Sequence, residues 1–89
     1  MNIDLTNNIA YCEAMGLANC FKAYADNASG EYIENIGFNP NSGYTYIYIE
    51  NGISICSILG REVEYLVTDP ESGEEIFLET YIEALNYNF

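Results

Sequence analysis

Tyr44-Thr45-Tyr46-Ile47-Tyr48-Ile49-Glu50-Asn51-Gly52-Ile53-Ser54-Ile55-Cys56-Ser57-Ile58-Leu59 is the stretch that decides the fold. It opens with β-branched and aromatic residues, breaks at Asn-Gly, and resumes with an isoleucine-rich run. Asn-Gly between two such runs is the strongest short-range signal for a β-hairpin. A two-residue turn at Asn51-Gly52 would pair Glu50 with Ile53. That register predicts one face carrying Thr45, Ile47, Ile49, Ser54, Cys56 and Ile58. The other would carry Tyr44, Tyr46 and Tyr48 with Ile53, Ile55, Ser57 and Leu59.

The neighbouring segments extend this hairpin into a sheet. Upstream, residues 31–38 read as a strand whose alternation falters at Asn35 and Gly37, as at a bulge or an edge. Asn39-Pro40-Asn41-Ser42-Gly43 is a turn cluster. Downstream, Arg61 to Thr68 and Glu74 to Thr80 form a second hairpin around Asp69-Pro70-Glu71-Ser72-Gly73. Alternation there sends Val63, Tyr65, Val67, Ile76 and Leu78 inward, and Glu62, Glu64, Leu66, Glu75, Phe77 and Glu79 outward.

Helical patterns flank the strands. Residues 5–28 place Ala10, Ala14, Leu17, Phe21 and Ala28 at near-helical spacing, with Cys20 and Tyr24 beside them. Asp4 or Thr6 can cap the start, and Asn27-Ala28-Ser29-Gly30 ends the pattern. Gly16 and the alanines thin this helix enough to lie close against a sheet. The tail from Tyr81 to Phe89 has length for two helical turns. The sum is one α+β domain over residues 1–89: an N-terminal helix on a meander of four or five antiparallel strands, closed by a short C-terminal helix.

Composition narrows the function. The 89 residues include 14 Asp and Glu against Lys22 and Arg61 alone, with no histidine, for a net charge of −12. Such a surface repels nucleic acid and anionic membranes, because affinity for either needs cations on the protein. A basic protein surface is the complementary partner. Without histidine, the usual general base and metal ligand are missing, and no cysteine has an imidazole to activate it. No glycine-rich phosphate loop is present. The Asp69–Glu75 carboxylates do not follow the calcium-loop order. The chain is therefore read as a non-enzyme that needs no cofactor and no metal.

Three cysteines cannot all pair with one another, and Cys12 and Cys20 stand about 12 Å apart by helical rise, too far for a disulfide. Their apolar surroundings mark them as core thiols. No leader-like or membrane-spanning run occurs, so a reducing cytoplasm is the expected location.

Two candidate surfaces emerge. The first is acidic: Glu62, Glu64, Glu75 and Glu79 on the second hairpin, extended by Glu71 and Glu74 at its loop. Same-face strand residues lie about 7 Å apart, close to every second phosphate of a DNA strand at about 3.4 Å per charge. Like charges this close destabilise a sheet, a cost that a binding role would explain. The second is aromatic: Tyr44, Tyr46 and Tyr48 on one strand face, in a chain with nine tyrosines and no tryptophan. Tyrosine is enriched in protein interfaces.

The short chain, the steep acidic imbalance and the glutamates on strands and loops resemble small DNA-mimic and anti-defence proteins of phages and mobile elements, including anti-CRISPR and anti-restriction proteins. The resemblance is one of composition and carries no motif. It implies an inhibitor of a host defence nuclease, active in the bacterial cytoplasm, that covers a basic nucleic-acid-binding surface. The alternative is a small homodimeric structural or regulatory module that associates through the tyrosine face and uses its charge for solubility.

Overall fold

The computed structural model describes residues 5–28 and 30–89, with side chains in the first helix from residue 9 onward. The expected caps, Asp4 and the Thr6 side chain, and Ser29 at the helix end lie outside the described residues and side chains. The chain runs α1 (Leu5–Asn27), β1 (Ile33–Asn39), β2 (Tyr44–Ile49), β3 (Ile53–Ile58), β4 (Glu64–Thr68), β5 (Glu75–Leu78) and α2 (Tyr81–Asn86). The five strands form one antiparallel sheet in sequence order, β1-β2-β3-β4-β5. α1 packs on β2 and β3, while α2 packs on β4 and β5. Their buried residues join one core with Ile47, Ile49, Ile53, Ile55, Tyr65 and Val67, so both helices lie on the same face. The α+β architecture read from the sequence is the observed one.

The central hairpin closes one residue differently from the expected two-residue turn. Ile49 pairs with Ile53, so the connection is Glu50-Asn51-Gly52. The Gly52 amide donates to the Ile49 carbonyl at 3.2 Å, and only Gly52 of the three takes a positive φ, +76°. A two-residue type I′ turn would need positive φ at both central positions. Here the turn bends with ordinary φ at Asn51 and leaves the left-handed position to glycine. A one-residue slip exchanges the faces of an entire strand. The side chains under α1 are therefore Thr45, Ile47, Ile49, Ile53, Ile55 and Ser57. Ser54, Cys56 and Ile58 share the other face with the three tyrosines.

The helix is also turned from its expected phase. Its buried positions are Cys12, Gly16 and Cys20, with Ala23 and Tyr24 packed one turn further on. Ala10, Ala14 and Phe21 face solvent instead. Closeness of approach decides the phase. A Cβ at Gly16 would stand 2.3 Å from Thr45 Oγ1, so the helix backbone lies directly on β2. A Phe21-centred contact would hold the helix further off and leave voids that close-packed interiors do not tolerate. Hydrogen bonds fix the seating: Asn19 Nδ2 donates to the carbonyls of Gly60 at 2.7 Å and Arg61 at 3.2 Å, and the Tyr24 hydroxyl donates to the Glu31 carbonyl.

β3 and β4 are joined by a tight turn at Leu59-Gly60. Both residues take positive φ, +56° and +70°, and the Arg61 amide donates to the Ile58 carbonyl at 3.0 Å. This is the type I′ geometry expected one loop earlier. At the far end, Thr80 caps α2: its hydroxyl oxygen accepts the Glu83 amide at 3.2 Å, and the hydroxyl donates to Glu83 Oε1 at 2.8 Å.

Candidate functional site

The sheet face away from the helices is the candidate site. Its composition follows from the register. Tyr44, Tyr46 and Tyr48 on β2 stand beside Ile58, Cys56 and Ser54 on β3. Cys56 and Ser54 stand beside Glu64 and Leu66 on β4, and Leu66 and Thr68 beside Phe77 and Glu75 on β5. The tyrosines and the second hairpin's outward carboxylates thus share one surface, and no Lys or Arg occupies a strand position on it. The inward set Val63, Tyr65, Val67, Ile76 and Leu78 lies in or against the core, as alternation predicted.

The face covers its own middle. Ser54 and Cys56 are 4% and 3% exposed although no helix lies over them. Tyr44 covers Cys56, and Tyr46 covers Gly37 on the neighbouring strand. A Cβ on Gly37 would come within 2.5 Å of two ring carbons and the hydroxyl oxygen of Tyr46, so that side chain lies across the edge strand. An aromatic ring over a cross-strand glycine supplies the side-chain contact that the glycine lacks. Asn35 Nδ2 reaches the Tyr46 hydroxyl at 3.5 Å. The rings of Tyr44 and Tyr46 lie 5.8 Å apart, tilted by 35°.

Tyr44 leans the other way, over β3. Its hydroxyl meets the Cys56 thiol, which donates in turn to the Glu64 carbonyl at 3.4 Å. Burial pushes the Tyr44 hydroxyl well above the ordinary tyrosine range, with the Cys56 contact and negative neighbours, including Glu75, adding to it. Burial also raises the Cys56 pKa, the Glu64 carboxylate adds to the rise, and the Tyr44 hydrogen bond works against it. On the helix side, burial takes Cys20 up to about 12. Cys20 and Cys56 are therefore protonated at neutral pH, the opposite of what a nucleophilic thiol requires.

The six glutamates do not form a single row. Glu62, Glu64 and Glu79 gather around Phe77, lining a depression at one end of the β4-β5 hairpin. Glu75 pairs with Thr68 at the other end, beside the loop that carries Glu71 and Glu74. The two groups are separated by about the length of β4, some 13 Å at strand rise. The loop itself is well ordered by its own polar groups. Asp69 accepts the Glu71 amide at 3.0 Å and the Ser72 hydroxyl at 2.9 Å, which hold its carboxyl below the usual aspartate range. Among the described residues, no three His, Cys, Asp or Glu side chains are grouped to hold a metal ion, and no helix is long and apolar enough to cross a membrane.

Sequence reasoning missed a cleft between Tyr44 and Phe77, also lined by Cys56, Ile58, Glu62, Glu64 and Arg61, with a volume of about 270 Å³. Alternation did place Phe77 outward. Its meeting with Tyr44 depends on the β2-β3 register, which the Asn-Gly signal set one residue off.

No protein-family model, curated protein or solved structure matches this chain.

Proposed function

We propose that this protein is a non-catalytic inhibitor of phage or mobile-element origin, which covers the basic nucleic-acid-binding surface of a host defence nuclease in the bacterial cytoplasm. The observation that carries this reading is the coincidence of charge and rings on one sheet face. Glu64 and Glu75 sit by register on the surface that carries Tyr44, Tyr46 and Tyr48, with Glu62 and Glu79 at its end. Carboxylates there would pair with lysines and arginines that otherwise hold phosphates, while the rings supply contact area. Opposite charge steers the encounter, so association should be fast and weakened by salt. Buried, protonated Cys20 and Cys56 and the lack of histidine are in keeping with a non-enzyme.

A homodimer built on the same face is the second reading. Ile58 and Phe77, each about half exposed, favour it. Glu64 and Glu75 oppose it, since a back-to-back pair brings each toward like charge.

The test is capture of purified CRISPR and restriction effectors by the tagged protein at low and high salt. The comparison is with a triple variant, Glu62→Lys, Glu64→Lys and Glu75→Lys. The expected result is an effector that elutes with salt, cannot bind DNA while held, and loses roughly 100-fold in affinity against the variant. Undiminished binding by the triple variant would rule out this face. Recovery of the protein alone as a salt-insensitive dimer would favour the second reading.

A further inference from the structure

We infer that the cleft between Tyr44 and Phe77 receives one arginine side chain of the partner. The inference rests on the basic-partner reading above and names the contact at its centre.

The walls come first. Phe77 is 52% exposed on a sheet face where its cross-strand partner Leu66 is buried. Tyr44 stands opposite, with its hydroxyl tied down to Cys56. The open cleft's volume of about 270 Å³ falls just below the usual range for small-molecule pockets and suits a single side chain. Aromatic faces attract cations, and a planar guanidinium stacks on them better than an ammonium does.

The rim supplies the charge. Glu62 and Glu64 line the cleft, against Arg61 from the Leu59-Gly60 turn. Two carboxylates against one guanidinium leave a net negative opening. Arg61 is a built-in competitor, which makes the sign of its effect diagnostic. Removing it should tighten binding of a cation and weaken binding of an anion.

The probe is N-acetyl-arginine amide, titrated into the full chain and followed residue by residue by NMR, with N-acetyl-lysine amide alongside. Arginine should shift signals of Tyr44, Ile58, Glu64 and Phe77, and lysine should bind more weakly. Phe77→Leu keeps an apolar side chain at a half-exposed position, so the fold is retained. It should lower arginine affinity about two- to fivefold. Glu64→Gln should weaken binding, whereas Arg61→Gln should strengthen it about three- to fivefold, as one unit charge near contact does in water. An unchanged affinity in Phe77→Leu, a weaker one in Arg61→Gln, or shifts scattered over every glutamate would overturn the cleft.

A salt-sensitive oligoarginine peptide separates the two levels of the argument. If that peptide binds wild type and Phe77→Leu equally, the cleft is wrong and the acidic face stands. If it does not bind wild type at low salt, both fall.

Discussion

The two faces of the sheet bury their centres by opposite means. Under α1, burial comes from thin residues. Gly16 and Cys20 let a helix backbone settle onto Thr45 and Ile47, and α1 places no charged residue in the contact. On the other face, no second layer of described residues covers the middle strand. Tyr46 lies across Gly37, Tyr44 lies over Cys56, and Ser54 and Cys56 are nearly as well hidden as the residues beneath the helix. The first face excludes a partner because its space is filled by its own chain. The second is dry in the centre, aromatic on top and acidic at the margin, as a protein-binding surface needs to be.

The largest expected effect tests the closeness of the first face. Gly16→Ala drives a methyl group to 2.3 Å from Thr45 Oγ1. Overpacking of this kind costs about 1–3 kcal/mol, while the better helix propensity of alanine returns up to about 1 kcal/mol. A net loss of up to about 2 kcal/mol should lower Tm by up to roughly 10 °C for a chain of this length. Thermal unfolding followed by circular dichroism measures it. An unchanged or raised Tm would mean that α1 does not seat where Gly16 meets Thr45.

A smaller loss is expected on the open face. Tyr46→Ala uncovers Gly37 at the sheet edge and removes a cross-strand pair, for about 1 kcal/mol. Denaturant unfolding should show a lower midpoint with an unchanged slope, the signature of altered stability alone.

The sharpest comparison between the faces is read from thiol reactivity, not from stability. Tyr44→Ala should leave the fold intact and open Cys56 to alkylation, while Cys20 stays protected under α1. Mass mapping after iodoacetamide treatment at mildly alkaline pH reads the two thiols separately. Alkylation needs the thiolate, and the folded pKa of about 12 keeps Cys20 protonated where an unfolded thiol near 9.0 would ionise. The linkage has a definite sign. Cys20 stabilises the fold fully below about pH 9, and that contribution is lost as pH rises toward 12. Equal modification of Cys20 and Cys56 in the variant would show that Tyr44 is not what protects the open face.

The order and type of the elements were legible in the sequence because each signal is local. Asn-Gly, Asp69-Pro70 through Gly73, and strict alternation in the second hairpin located β2 to β5, and they placed Val63, Tyr65, Val67, Ile76 and Leu78 correctly. The errors arose where a tertiary contact decides. Helix phase was read from Phe21 and Leu17, the larger apolar residues, yet at Cys12, Gly16 and Cys20, where the helix lies closest, the sheet accepts only residues without bulk. The hairpin register was read from Asn51-Gly52, yet Asn51 keeps ordinary φ. The Thr68 amide donates to the Gly52 carbonyl at 3.1 Å, which ties that turn to β4 rather than leaving it to its own preference. Tyr44, Tyr46 and Tyr48 were read as one strand face, and that face points away from both helices. The expected register put Ser54 and Cys56 on the opposite face from these rings, one residue off. The acidic residues were recognised one by one, but their division into two groups depends on the length of β4.

Every strand in the sheet pairs with its neighbour in sequence, across connections of a few residues. Such contacts cost little loop-closure entropy and favour rapid formation. Helix α1 is the exception. It leaves the ribosome before the strands, yet its resting place on β2 and β3 is completed only when Ile58 has been made. During synthesis, a nascent chain that ends at Ile49 carries the whole helix and only half of the surface meant to receive it.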